Sequence, residues 1–207
     1  MDWYSIIKLL HVVAAILWLG GGFAMVVLAT RADRASDHET LLHHIRSVTL
    51  LGARVFVPSS LATLLTGLAM AWLWTGFSEP WILIGIGGFT FTFIMGVAVL
   101  GPSATRVLLT AADEGAGPTA LRQARRLLQV AKIDLTAMFV VVAAMVLKPS
   151  SGDYAVLGAM VAVFAVGAFV CLAGLRASAD PALIIRAKAR HEHGSGGQAR
   201  PRTNDPN

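Results

Sequence analysis

Cysteine is almost missing from this chain of 207 residues, with Cys171 the single instance. No disulfide framework and no multi-cysteine metal site can therefore be built from it. Charge is scarce as well: 14% of residues are Asp, Glu, Lys or Arg against 56% hydrophobic, and mean hydropathy is +0.67. A water-solvated domain carries roughly a quarter charged residues, so lipid has to be the solvent. Acidic residues are the rarer sign, 12 against 17 basic, for a net charge of +5. The arginines cluster between apolar runs and in the tail without interleaved aromatics, so nucleic acid is not expected as a partner. Also lacking are a Gly-x-Ser-x-Gly elbow, a Walker loop and a His-Glu-x-x-His motif, which leaves hydrolase and nucleotide chemistry without a carrier.

What is present is apolar sequence in long pieces. Five runs stand out, at about Ser5 to Leu28, Leu50 to Trp74, Trp81 to Leu109, Leu127 to Leu147 and Tyr154 to Leu175. Each is long enough to cross roughly 30 Å of hydrocarbon as a helix of about 20 residues. The runs are continuous rather than alternating, which excludes barrel strands, and helices satisfy their own backbone groups in lipid. The expected fold class is an all-α integral membrane protein, a bundle of five transmembrane helices in the lipid bilayer.

Basic residues orient the bundle. Arg31, Arg34, Arg46 and Arg54 follow the first run; Arg106, Arg122, Arg125, Arg126 and Lys132 follow the third; Arg176, Arg186, Lys188, Arg190, Arg200 and Arg202 follow the fifth. Only Lys8 and Lys148 fall on the other side, so 15 of the 17 basic residues share one face. The positive-inside rule then puts the N-terminus outside and the C-terminus in the cytoplasm of a bacterial inner membrane. A cleavable signal peptide is the lesser reading of the first run, despite Val27-Leu28-Ala29. Asp2 and one lysine make a poor n-region, and about 24 apolar residues exceed the usual h-region. The segment 187–207 is polar and rich in Gly, Arg and Pro, the composition of a disordered tail. His191-Glu192-His193 within it is a weak metal site.

Ionisable groups within spans are costly and so are candidates for function. His11 is the one histidine in an apolar run, roughly 7 Å below the start of the first helix at 1.5 Å per residue. It shares a helical face with Lys8, Ala14, Ala15, Trp18 and Gly22, and Gly20-Gly21-Gly22 extends a smooth surface for a neighbouring backbone or a flat ligand. In the fourth run Asp134, Met138, Val141, Met145 and Lys148 form one stripe, with Met145 near the depth of His11. A His/Met pair of axial haem ligands is thus permitted, although methionine is also a common core filler. Asp134 has Arg54 and Arg106 as candidate partners in a structural ion pair, with a proton relay as the sharper alternative. Ser59, Thr63, Thr66 and Met70 after Pro58, and Gly88, Thr92 and Gly96, read first as packing devices, with a polar pore lining as the lesser alternative.

Lys8-Leu9-Leu10-His11-Val12, Gly20 to Gly22, Thr66-Gly67-Leu68, Ser78-Glu79-Pro80-Trp81 and Lys148-Pro149 occur in an order that resembles the bacterial family of predicted integral membrane proteins known as domain of unknown function 2269. The resemblance covers roughly residues 1–150, leaving 151–186 as a fifth span and 187–207 as the tail. The first helix is also similar to that of the membrane protoporphyrinogen oxidases and of the copper-resistance D type proteins. The oxidase resemblance implies a haem-holding role for His11. The oxidases' Arg-x-x-Asn-Glu-x-Pro pattern is not matched, since Lys132-Ile133-Asp134-Leu135-Thr136 lacks the Asn-Glu pair.

Two functional readings follow. One is a membrane protein binding haem b or a metal through His11. The other is a non-redox protein, a small permease or structural subunit, with His11 packed in the bundle. A lone intramembrane histidine argues against transmembrane electron transfer between two bis-His haems, which would need four such ligands.

Overall fold

The computed structural model describes residues 2–177. Five helices in it are long and apolar enough to span a membrane: α1 (Trp3–Arg34), α2 (His38–Thr75), α3 (Pro80–Glu114), α4 (Pro118–Leu147) and α5 (Tyr154–Ala177). No strand occurs among the described residues. The expected all-helical membrane bundle of five spans is what the chain forms. His191-Glu192-His193 and the tail 187–207 lie outside the described residues.

Local chemistry sets the helix starts. Asp2 accepts a hydrogen bond from Ser5 N at 3.2 Å, and Asp37 accepts one from Thr40 N at 3.1 Å, each satisfying an amide that a first turn leaves free. Pro80 and Pro118 stand in the first turns of α3 and α4, where a missing N–H costs nothing. Asp153 accepts from Ser150 N and Ser150 Oγ, both at 2.8 Å, to close the turn into α5.

The helices at the basic end run well past the apolar stretches. What hydropathy marks as connecting sequence is helical up to Arg34 and again from His38, leaving only a short turn in which Ser36 has φ 57°. These extensions are amphipathic and meet in a core of Ala29, Ala32, Leu41, Ile45, Ala104, Val107, Ala124 and Leu128. Arg125 Nε donates to Asp33 Oδ1 at 2.8 Å across its edge, tying α4 to α1. Elsewhere large apolar side chains such as Leu65, Trp72 and Phe169 point outward, as lipid-facing residues do.

Two prolines inside helices are absorbed by wider turns. Proline lacks an N–H and its ring collides with the carbonyl four residues back. In α2 the five residues Gly52–Phe56, just before Pro58, form a π-helical turn in which Val57 N bonds Gly52 O. In α3 the segment Met95–Leu100, just before Pro102, does the same, with Gly101 N on Gly96 O. A third π turn, Ala71–Thr75, ends α2 at Gly76, whose φ of 82° suits glycine alone.

Small residues let the helices approach closely. A Cβ on Gly88 would overlap Val141 Cγ2, and one on Gly85 would overlap the end of Met145, so α3 lies tight on α4. Gly21 faces the Phe56 ring, where an added Cβ would stand 2.7 Å from Cε1. On α5, Gly167 meets Thr136 and Gly174 meets Gln129, whereas Gly158 has open space beside it and Ala162 is exposed. The contact face of α5 on α4 therefore runs through Gly167 and Gly174.

Candidate functional site

Polar side chains that share a membrane interior need partners, and His11 has found its own on α2. Its Nδ1 lies 2.8 Å from Thr63 O and 3.2 Å from Thr66 Oγ1. A carbonyl oxygen only accepts, so Nδ1 carries the proton and donates it. The Thr66 hydroxyl donates to Ala62 O at 2.5 Å, which leaves its lone pairs free for the same Nδ1–H. In the neutral ring Nε2 then holds the exposed lone pair. It makes no hydrogen bond among the described residues and is not sealed from the surroundings. Such an Nδ1–H to carbonyl bond is the usual outer-sphere support of a histidine that binds metal through Nε2.

Gly67 gives the ring room against α2. A Cβ there would sit 3.0 Å from His11 Cε1 and 3.4 Å from Nδ1, close enough that the ring would have to shift by a few tenths of an ångström. Two further α2 hydroxyls turn back on their own helix: Ser60 Oγ donates to Val57 O at 2.9 Å and Thr63 Oγ1 to Ser59 O at 2.8 Å.

His11 and Met145 line one cavity of about 430 Å³, walled also by Ala15, Gly67, Gly85 and Phe89. The Met145 side chain lies across Gly85, whose added Cβ would be 3.4 Å from the sulfur. The cavity is mostly apolar, with the His11 imidazole and the thioethers of Met70, Met138 and Met145 as its soft donors. Lys148 and Trp81 stand at the same end, the ammonium 5.2 Å from the ring centroid. Lys8 Nζ lies 5.9 Å from the Tyr4 ring centroid, at an exposed position near the helix start. Among the described residues no three His, Cys, Asp or Glu side chains gather as a metal site.

A second cavity of about 540 Å³ lies toward the basic end, and Trp18 and Met138 line both. Trp18 packs on Phe89 with centroids 5.1 Å apart, and Phe89 stacks on Phe93 at 6.0 Å, so an aromatic layer divides the two. Asp134 lines this inner cavity and is 9% exposed. Its Oδ1 is buried without any hydrogen-bond partner.

The structure does not join Asp134 to Arg54 or Arg106. Both arginines are exposed, and among the described residues the ion pair is Arg125 with Asp33. The reason is angular. Arg106 follows buried Ala104 by two positions and precedes buried Val107 by one, which puts it on the outward side of α3. Arg54 sits inside the π turn of α2 and points away from the bundle. Depth along the sequence is right for pairing, but facing is not.

The fold defines a multi-pass α-helical membrane protein whose described residues line the two cavities above. Residues 5–149 match the family described as Predicted integral membrane protein (DUF2269), and the chain belongs to that family. No curated protein and no solved structure matches it.

Proposed function

We propose that the outer cavity binds haem b, which His11 Nε2 would hold, with Met145 as the candidate second ligand. The observation that carries this reading is the hydrogen bond from His11 Nδ1 to Thr63 O at 2.8 Å, which fixes the tautomer and leaves Nε2 free toward a cavity. The donor set fits: an imidazole and a thioether are both established haem-iron ligands, and about 430 Å³ of largely apolar space is within the range of cofactor pockets. When bound, the haem would supply a redox-active or ligand-binding iron. The chain's own contribution is to hold the imidazole, through Thr63 and Gly67, and to keep water from the site with Phe89, Val141 and Ile82.

The same reading sets the chain in a bacterial inner membrane with the N-terminus and the His11 cavity outside and the basic end in the cytoplasm. Residues 1–150 form the family unit, to which α5 is an addition. Purified protein from haem-replete cells should show a Soret band with near-stoichiometric haem. His11→Ala should abolish it and His43→Ala, on the amphipathic extension, should not. Met145→Ala should alter the spectrum if the sulfur is the second ligand. A colourless protein from such cells would overturn the reading.

A second reading has an observation of its own. Two cavities separated by the Trp18, Phe89 and Met138 layer are also the layout of a closed path, as in a small permease with His11 as a packed, hydrogen-bonded residue. It requires solute flux into proteoliposomes and no Soret band.

A further inference from the structure

The inner cavity plays no part in the proposed haem site, yet it contains the most costly group in the bundle. Asp134 is the only acidic residue among those lining it, and His44 is the only other titratable one. The carboxylate is more than nine-tenths buried, and Oδ1 is fully enclosed with no partner. Oδ2 makes no hydrogen bond either and is not among the sealed atoms, so it is the oxygen that faces the open space. A charge taken out of water without a partner is strongly unfavourable. The arginines that could have neutralised it face outward.

Apart from the hydroxyl residues Thr49, Ser60, Thr92 and Thr105, the rest of the wall is apolar and aromatic. Trp18, Phe56 and Phe93 line it together with Gly22, Gly96 and Met138, and Gly22 and Gly96 leave open space where side chains would otherwise stand. Aromatic faces attract cations through the ring quadrupole, more strongly where water is excluded. An apolar cavity of about 540 Å³ with aromatic faces and one buried carboxylate has the complementarity for a molecule that is greasy over most of its surface and carries one positive charge.

We propose that the inner cavity is a binding site for a lipophilic monocation, such as an aryl or alkyl ammonium or phosphonium, with Asp134 as its counter-ion. Two other occupants compete: a proton on Asp134 with the cavity empty of ligand, and a phospholipid tail. Neither predicts charge-selective binding.

The test is equilibrium dialysis of the detergent-solubilised full chain against tetraphenylphosphonium, with neutral triphenylphosphine oxide as the uncharged comparison. Saturable binding of the cation at one site per chain is expected. Asp134→Asn should weaken it by about tenfold or more, a change of about 1.4 kcal/mol, and Asp134→Glu should largely retain it. The neutral compound should bind wild type and Asp134→Asn alike. Gly22→Leu, which fills the cavity without touching the carboxylate, should abolish saturable binding and serves if the Asn variant does not fold. Equal cation binding by wild type and Asp134→Asn, no saturable binding by folded wild type, or binding indifferent to Gly22→Leu would each overturn the proposal. Co-purified phospholipid that the cation cannot displace would do so as well.

Discussion

Replacing Gly88 with alanine tests the packing of α3 on α4 more sharply than any change at a charged residue. An added Cβ would overlap Val141 Cγ2, well inside the 3.0 Å that real Cβ contacts essentially never cross. Val141 cannot turn aside, because a β-branched residue in a helix has one strongly preferred rotamer and this one is buried. The helices must separate or the rotamer must break, and overpacking of this kind costs about 1–3 kcal/mol. The adjacent Gly87 has nothing within 4 Å of its would-be Cβ, so Gly87→Ala should gain roughly 0.5–1 kcal/mol from the lower backbone entropy of alanine. Two chemically identical substitutions one residue apart should thus move stability in opposite directions. Thermal unfolding followed by circular dichroism, in one detergent at one protein concentration, reads the difference. Val141→Ala should rescue Gly88→Ala, with a coupling of about 0.5–3 kcal/mol. A Gly88→Ala protein as stable as Gly87→Ala would refute the close approach.

Asp134→Asn should raise thermal stability or leave it unchanged, because it removes a buried group that has no partner, and its effect should be additive with Arg54→Ala and with Arg106→Ala. Coupling with either arginine would show a pairing absent from the described contacts. Arg125→Ala should cost less than about 1 kcal/mol and lose its effect at high salt, since the pair with Asp33 is partly exposed. Asp37 is held below the usual carboxylate range by its hydrogen bonds with Thr40. Its folded form is thus favoured while ionised, and the cap contributes at neutral pH and fades as pH falls through that lowered value. Protection of the Thr40 amide from hydrogen exchange, taken relative to its intrinsic rate at each pH, should fall in that acidic window and hold steady at neutral pH; unchanged protection in acid would discount the cap. Reporter fusions at Gly76 and Gly152 should read as extracytoplasmic and at Gly117 as cytoplasmic, and a cytoplasmic signal at Gly152 would remove the proposed orientation.

The five spans were legible because a continuous apolar run of about 20 residues has few alternatives. Hydropathy could not show that helices continue into the basic segments, since those extensions alternate polar and apolar residues and bury only one face. Leu41, Ile45, Ala104 and Val107 carry that signal at spacings of four and three, and a helical count through the first and third connections would have found it. Charge counting located Asp134, Arg54 and Arg106 at similar depth, but depth says nothing about angle around a helix, and the π turn before Pro58 shifts that angle further. His11 was visible as the lone intramembrane imidazole. Its partners were less so: Thr63 contributes a backbone carbonyl, which no side-chain pattern records, and Gly67 matters for the side chain it lacks.

The π turns make the winding in mid-helix a quantity the bundle depends on. Each α-helical residue advances the chain by about 100° around the axis. A π turn takes up one extra residue without passing its rotation on to the rest of the helix, so re-closing Gly52–Phe56 to regular winding with every residue kept would swing Thr63, Thr66 and Gly67 as a group away from the His11 ring. A change of side chain in that turn touches one position, whereas a change of winding there re-aims half a helix. The imidazole's support and the site's opening thus depend on how the chain is wound before Pro58 as much as on which residues stand there.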